Sequence, residues 1–130
     1  KWYIKRPFVN PAAKKYNTST NQNTVETKRE TKMKLIRDLI PNFVEDKDLI
    51  MKLEGSGLGT HIEFLEEKLR EETEEVIEAP PEKKLEELAD VYEVLLALGA
   101  KYGHGLHSIQ AYADQKRATL GGFRDGWLLK

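Results

Sequence analysis

Two consecutive prolines, Pro80 and Pro81, divide two long runs of helical periodicity, and this break constrains the chain more than any other feature. A proline cannot donate to the helical ladder and disfavours helical geometry in the residue before it. The run THIEFLEEKLREETEEVIEA is therefore predicted to be a helix that ends at the prolines. A second helix is predicted from Glu82 to about Tyr102, with Gly103 as its stop. So short a connection predicts an antiparallel hairpin. A third helix is expected from His107 to Leu120, closed by Gly121 and Gly122. Strand signals are few, so the expected fold is all-α, an antiparallel helical bundle.

The second helix sets a further requirement. Between Leu88 and Leu98 only Asp90 and Glu93 are charged. Leu88, Val91, Tyr92, Val94, Leu95, Leu96 and Leu98 surround most of its circumference. A helix apolar on nearly every side needs cover on nearly every side. Three helices from one small chain do not supply that cover, so oligomerisation, as a homodimer or a higher homo-oligomer, is expected to complete the bundle.

The first helix is amphipathic with one anomaly. Leu65, Leu69, Val76 and Ala79 form an apolar stripe, and the missing member of that stripe is Glu72. Glu75 lies three residues on, about 60° around and about 4.5 Å along the axis, so both carboxylates point the same way. On the second helix Glu87 and Asp90 repeat the spacing, Glu87 in register with Val91, Val94 and Leu98. The hairpin would bring one acidic pair opposite the other. Carboxylates crowded in a partly dry space either hold protons or bind a cation, since an unpaired buried charge costs several kcal/mol. Oxygen donors without cysteine or a nearby histidine suit a hard ion, Mg²⁺ or Mn²⁺. A second reading neutralises Glu72 and Asp90 through Lys68 or Arg70 instead. Glu66, Glu67, Glu74 and Glu78 fit a solvated face. His61, His104 and His107 read as loop or surface residues, and none has the Glu-x-x-His spacing of a di-iron bundle.

The rest of the chain bounds the setting. Its 130 residues suit one domain, and its formal net charge of −1 points to neither nucleic acid nor membrane. The balance hides an asymmetry, because residues 1–33 carry a net +6 and the remainder −7. Residues 1–32 read as a basic, polar N-terminal extension, partly disordered or docked, with KWYIKRPFV as a short strand or docked arm. Contact of this arm with nucleic acid is the weaker reading, as no motif supports it. Residues 33–130 form the expected domain. Within it, MKLIRDLIPNFVEDKDLIMKLEGSG has helical spacing interrupted at Pro41; a first segment is expected to end at Ile40 and a helix to restart at Pro41. GSGLG is a loop without the P-loop pattern. FRDGWLLK holds large apolar residues and is expected to pack on something. No cysteine is present, no apolar run approaches the roughly 18 residues of a membrane span, and no signal-peptide pattern opens the chain. A cytoplasmic location is expected.

The runs KLREETEE and EELAD together resemble the EExxE…ExxD pattern of the all-α nucleotide pyrophosphohydrolases. Here the pattern is Glu71, Glu72 and Glu75, then Glu87 and Asp90 after an interval of eleven residues. KLIRDLIP, ELADVYEVLLALGAKYG and QKRATLGGF, in that order, resemble segments of one branch, the MazG-like and phosphoribosyl-ATP pyrophosphohydrolase-like proteins. The likeness spans about residues 33–125. It implies a MazG-like all-α fold, an oligomer and a Mg²⁺-dependent site with Glu72, Glu75, Glu87 and Asp90 as metal ligands. The implied reaction splits the α–β phosphate bond of an NTP or related nucleotide into a monophosphate and pyrophosphate. The chain departs from the branch at Leu39, where the signature has lysine, in residues 1–32, which have no counterpart, and in its tight Pro80–Pro81 connection.

In such a reaction Glu71, beside the cluster, is the candidate to orient or deprotonate the water. Lys68, four residues before Glu72 and on the same side, is a candidate phosphate contact or a partner of Glu72. Lys116 and Arg117 are further substrate-binding candidates, though terminal cations also suit a helix C-terminus. The alternative function is a non-catalytic helical dimerisation module or a nucleotide-binding regulatory module.

Overall fold

The computed structural model describes residues 33–130. The expected extension over residues 1–32 lies outside the described residues. The chain divides into two units, Lys1–Phe64 and Leu65–Lys130. The described residues are helical or irregular, with no strand among them.

In the first unit the helical spacing after residue 33 does not produce an α-helix. It yields two 3₁₀ turns, Ile40–Phe43 and Lys47–Leu49. Pro41 falls within the first turn, and Val44 then leaves it in extended geometry at φ −97°, ψ 118°. Local side chains close the backbone in other ways. Lys47 Nζ donates to the carbonyls of Pro41 (2.8 Å) and Val44 (2.7 Å), and the Asp48 amide donates to Asp46 Oδ1 (3.0 Å). Such bonds compete with the helical ladder and stop the turn after one cycle. The expectation of a helix restarting at Pro41 is corrected to a single 3₁₀ turn.

Helix α1, His61–Glu78, starts at a reciprocal cap. The Glu63 amide donates to Thr60 Oγ1 and the Thr60 amide donates to Glu63 Oε1, each at 3.0 Å. This capping box is legible in the sequence as Thr60-x-x-Glu63. Gly59, at φ 134°, brings the chain into it, and a Cβ there would lie 2.8 Å from Glu63 Oε1.

In the second unit, α1 ends before the prolines, as expected. Residues Pro81–Lys83 make one 3₁₀ turn, and α2 runs Lys84–Lys101, two residues later than the sequence suggests. The shift follows from Glu82 and Lys83 being spent in the turn. Lys84 Nζ reaches back to the carbonyls of Val76 and Ile77 in α1. The last turns of α1 therefore lie beside the first turn of α2, which makes the pair a hairpin. Leu65 on α1 and Val94 on α2 are its buried apolar residues, at 3% and 8% exposure.

Helix α3, Leu106–Leu120, follows α2 through a Schellman ending. Gly103, at φ 81°, lets the His104 amide donate to the Gly99 carbonyl (2.9 Å) and its own amide to Ala100 (3.0 Å). Gly99 also lets α3 approach α2: a Cβ there would meet Ile109 Cδ1 at 2.7 Å and the His104 carbonyl oxygen at 2.9 Å. Gly121, at φ 84°, closes α3 as expected. Phe123, Trp127, Leu128 and Leu129 are exposed, so they pack on nothing within the described chain.

No helix of the described residues is long and apolar enough to cross a membrane. Among the described residues few large apolar side chains are covered. Leu85, Leu88, Tyr92 and Leu95, at steps of three, four and three along α2, all remain exposed.

The Gly99 contact is testable. Alanine favours helix over glycine by about 1 kcal/mol, whereas overpacking costs about 1–3 kcal/mol. Because one obstacle is backbone, Gly99→Ala is expected to destabilise by about 1 kcal/mol net. Urea unfolding followed by circular dichroism measures it, and equal or greater stability refutes the packing role.

Candidate metal centre

The stripe that Leu65 begins on α1 is continued by Glu72, whose exposure is only 6%. Its position follows from helical spacing: seven residues from Leu65, it faces the same side of the helix. Glu75, one turn later and half-buried, lies beside it. Glu87 enters from the first turn of α2. Each of these residues offers a carboxylate oxygen within 4.8 Å of the others. Two oxygens in the group, Glu72 Oε1 and Glu87 Oε1, are buried and have no hydrogen-bond partner. Buried polar atoms are ordinarily satisfied, and these two oxygens depart from that rule.

Lys68 holds the other side of Glu72. Its Nζ is 3.1 Å from Glu72 Oε2 and 3.5 Å from Glu71 Oε2, and all three side chains are largely buried. The pairing reading of Lys68 is thus realised. Arg70 is directed elsewhere, to Glu67 Oε1 at 2.8 Å. One ammonium does not neutralise three carboxylates, and both orphaned oxygens remain after Lys68 is placed.

The electrostatics report the same crowding. Burial, opposed by Lys68 and reinforced by Glu75, raises the pKa of Glu72. Burial first, then the charges of Glu75 and Asp90, push Glu87 up to about 7. For Lys68, burial opposes the charged form, but Glu71, Glu72 and Glu75 outweigh it and raise its pKa. The site is anionic enough to retain protons when nothing else balances it.

The other sequence candidates are placed as follows. Asp90 is half-buried one turn beyond Glu87 and acts on its charge, but is not in the group held within 4.8 Å. Glu71 lies beside the group through Lys68. Lys116 and Arg117 are exposed near the end of α3, where Arg117 donates to Asp114 Oδ1 at 2.8 Å; the gathered group does not include them. Glu66, Glu74 and Glu78 are exposed as expected, and Glu67 is partly covered. The three histidines are exposed.

The donor set fits a hard divalent ion. All the gathered donors are carboxylate oxygens, which match Mg²⁺ or Mn²⁺ better than softer metals. The orphaned oxygens supply the specific observation behind that fit. Sequence reasoning missed Lys84, whose ammonium caps α1 from the neighbouring helix. The available signal was the absence of any basic residue in the last turn of α1.

A pH dependence follows for protein stripped of metal. Glu87 binds its proton more tightly in the folded chain than at the ordinary value of 4.5. Between pH 4.5 and about 7 the folded state therefore holds more protons than the unfolded state, so stability falls as pH rises through this window. The contribution is fully present below pH 4.5 and lost above about 7. Thermal unfolding in chelator across this range is expected to show the decline, and Glu87→Gln to flatten it. A rise in stability with pH that Glu87→Gln abolishes contradicts the assignment.

No protein-family profile matches this chain, and neither a curated protein nor a solved structure matches it.

Proposed function

We propose that the chain is a Mg²⁺-dependent nucleotide pyrophosphohydrolase of the MazG-like type, formed by residues 33–130 and active in the cytoplasm as a homo-oligomer. The observation that carries this reading is the meeting of Glu72, Glu75 and Glu87 across the hairpin with two buried oxygens left unpartnered. The EExxE…ExxD pattern supports it from the sequence, because its members supply this group. Glu72, Glu75 and Glu87 hold the ion in this reading, and Asp90 adds a carboxylate one turn further along α2. Mn²⁺ is the alternative ion.

When bound, such an ion offsets phosphate charge and lowers the pKa of water. The remaining roles belong to the chain. Glu71 orients the attacking water and accepts its proton. Lys68 orients Glu72 and lies beside the phosphates. Lys116 and Arg117 are assigned phosphate contacts. Water adds to the α-phosphorus of an NTP or related nucleotide as the bond to the bridging oxygen breaks; the monophosphate and pyrophosphate leave, with one proton released.

A second reading, a non-catalytic helical dimerisation or nucleotide-binding regulatory module, is favoured by the exposed stripe of Leu85, Leu88, Tyr92 and Leu95. A stripe of this length suits a second copy of the chain. Sedimentation is expected to show an oligomer that Leu88→Glu dissociates. A monomeric wild-type chain refutes the oligomer.

The enzyme is separated from the module by incubation with nucleoside triphosphates and Mg²⁺. Pyrophosphate release is expected with the ion and none with chelator. Glu72→Gln and Asp90→Asn are each expected to lower turnover more than about tenfold, the lower range for losing even an outer partner of a metal. Full activity in both variants rules out the assigned site. Absence of turnover on every nucleotide leaves the module reading. Metal linkage supplies a second measure: Mn²⁺ at 100 times its Kd is expected to add about 2.7 kcal/mol of stability. That gain should vanish in Glu87→Gln.

A further inference from the structure

We infer that Lys84 is a positioning residue for the acidic cluster, an inference that rests on the metal reading above. Helix α1 ends with no basic side chain in its last turn. Its terminal carbonyls carry partial negative charge and need donors. Lys84, the first residue of α2, supplies them by donating to the carbonyls of Val76 and, at 3.2 Å, Ile77.

The location of that bond gives it a second consequence. Lys84 precedes Glu87 by three residues, so both side chains leave α2 on neighbouring parts of one face. On α1 the accepting Val76 directly follows Glu75. The hairpin is thus joined by two adjacent links of opposite sign. Lys84 attracts the end of α1, while Glu87 faces Glu72 and Glu75, with carboxylate oxygens of all three within 4.8 Å of one another. Repulsion among the carboxylates opens the hairpin, and the Lys84 bonds close it one turn away. They fix the register at which Glu87 meets Glu72 and Glu75 before any cation arrives. Lys84 touches neither substrate nor ion and acts through Glu87.

The test uses Mn²⁺ alone with the full chain, its binding followed by electron paramagnetic resonance and calorimetry. Lys84→Met keeps the aliphatic stem and removes the donors. It is expected to weaken Mn²⁺ binding about tenfold or more, with helical content retained, and Lys84→Arg to restore most of the affinity. Lys84→Gln, whose amide stops short of the carbonyls, is expected to weaken binding too, and carries the test if Lys84→Met does not fold. Gly99→Ala destabilises the chain away from the cluster and is expected to leave Mn²⁺ affinity unchanged. If Lys84→Met and Lys84→Gln bind as wild type does, or if Gly99→Ala weakens binding as much as they do, the positioning role is overturned. A wild-type chain that binds no Mn²⁺ instead overturns the underlying metal reading.

Discussion

Mutual repulsion among carboxylates drawn from two helices is the constraint on which the rest of this structure depends. Glu72 occupies a place in the hairpin that an apolar side chain would otherwise fill, and Glu87 faces it from α2. A charge in so dry a position is unfavourable unless paired, and removing the partner of a buried ion costs about 3–5 kcal/mol. Lys68 supplies one counter-charge within α1. Lys84 holds the hairpin shut through backbone carbonyls. Neither reaches the buried oxygens of Glu72 and Glu87 that lack partners. The hairpin thus holds two buried carboxylate oxygens without hydrogen-bond partners.

The architecture around this point is economical. Leu65 and Val94 are the buried apolar residues of the described chain, while one side of α2 remains open to water. In most small domains apolar burial outweighs the conformational entropy of folding. Among the described residues much apolar surface stays exposed, the stripe on α2 included. Glu87 and the exposed stripe of Leu85, Leu88, Tyr92 and Leu95 share one helix, so the homo-oligomer proposed above would also stiffen the element that presents Glu87.

The glycines show how local geometry serves the same end. Gly99 admits Ile109 close to α2, and Gly103 reverses the chain within the residues that follow. Together they bring α3 back onto α2. Gly59 does comparable work at the start of α1, where the Thr60–Glu63 cap requires a close approach. These are positions where a side chain would collide or the backbone conformation excludes one.

Much of this was legible in the residues themselves. The double proline and the helical periods determined the hairpin and the third helix, because both act through local sterics and spacing. The interruption of an apolar stripe at Glu72 located the acidic face, since seven residues return a helix to nearly the same side. The residues before Gly59 were not legible in the same way. Their helical spacing yielded only 3₁₀ turns, because Pro41 and the side-chain bonds of Lys47 and Asp46 satisfied the backbone locally. The tail stays exposed within the described chain, as apolar character alone does not name a surface to cover it. Tertiary structure alone decided which carboxylates meet. It gathered Glu87 with Glu72 and Glu75, left Asp90 outside that group and brought Lys84 to the end of α1. Periodicity assigns a residue to a face of its own helix, but the register between two helices depends on contacts between residues distant in sequence.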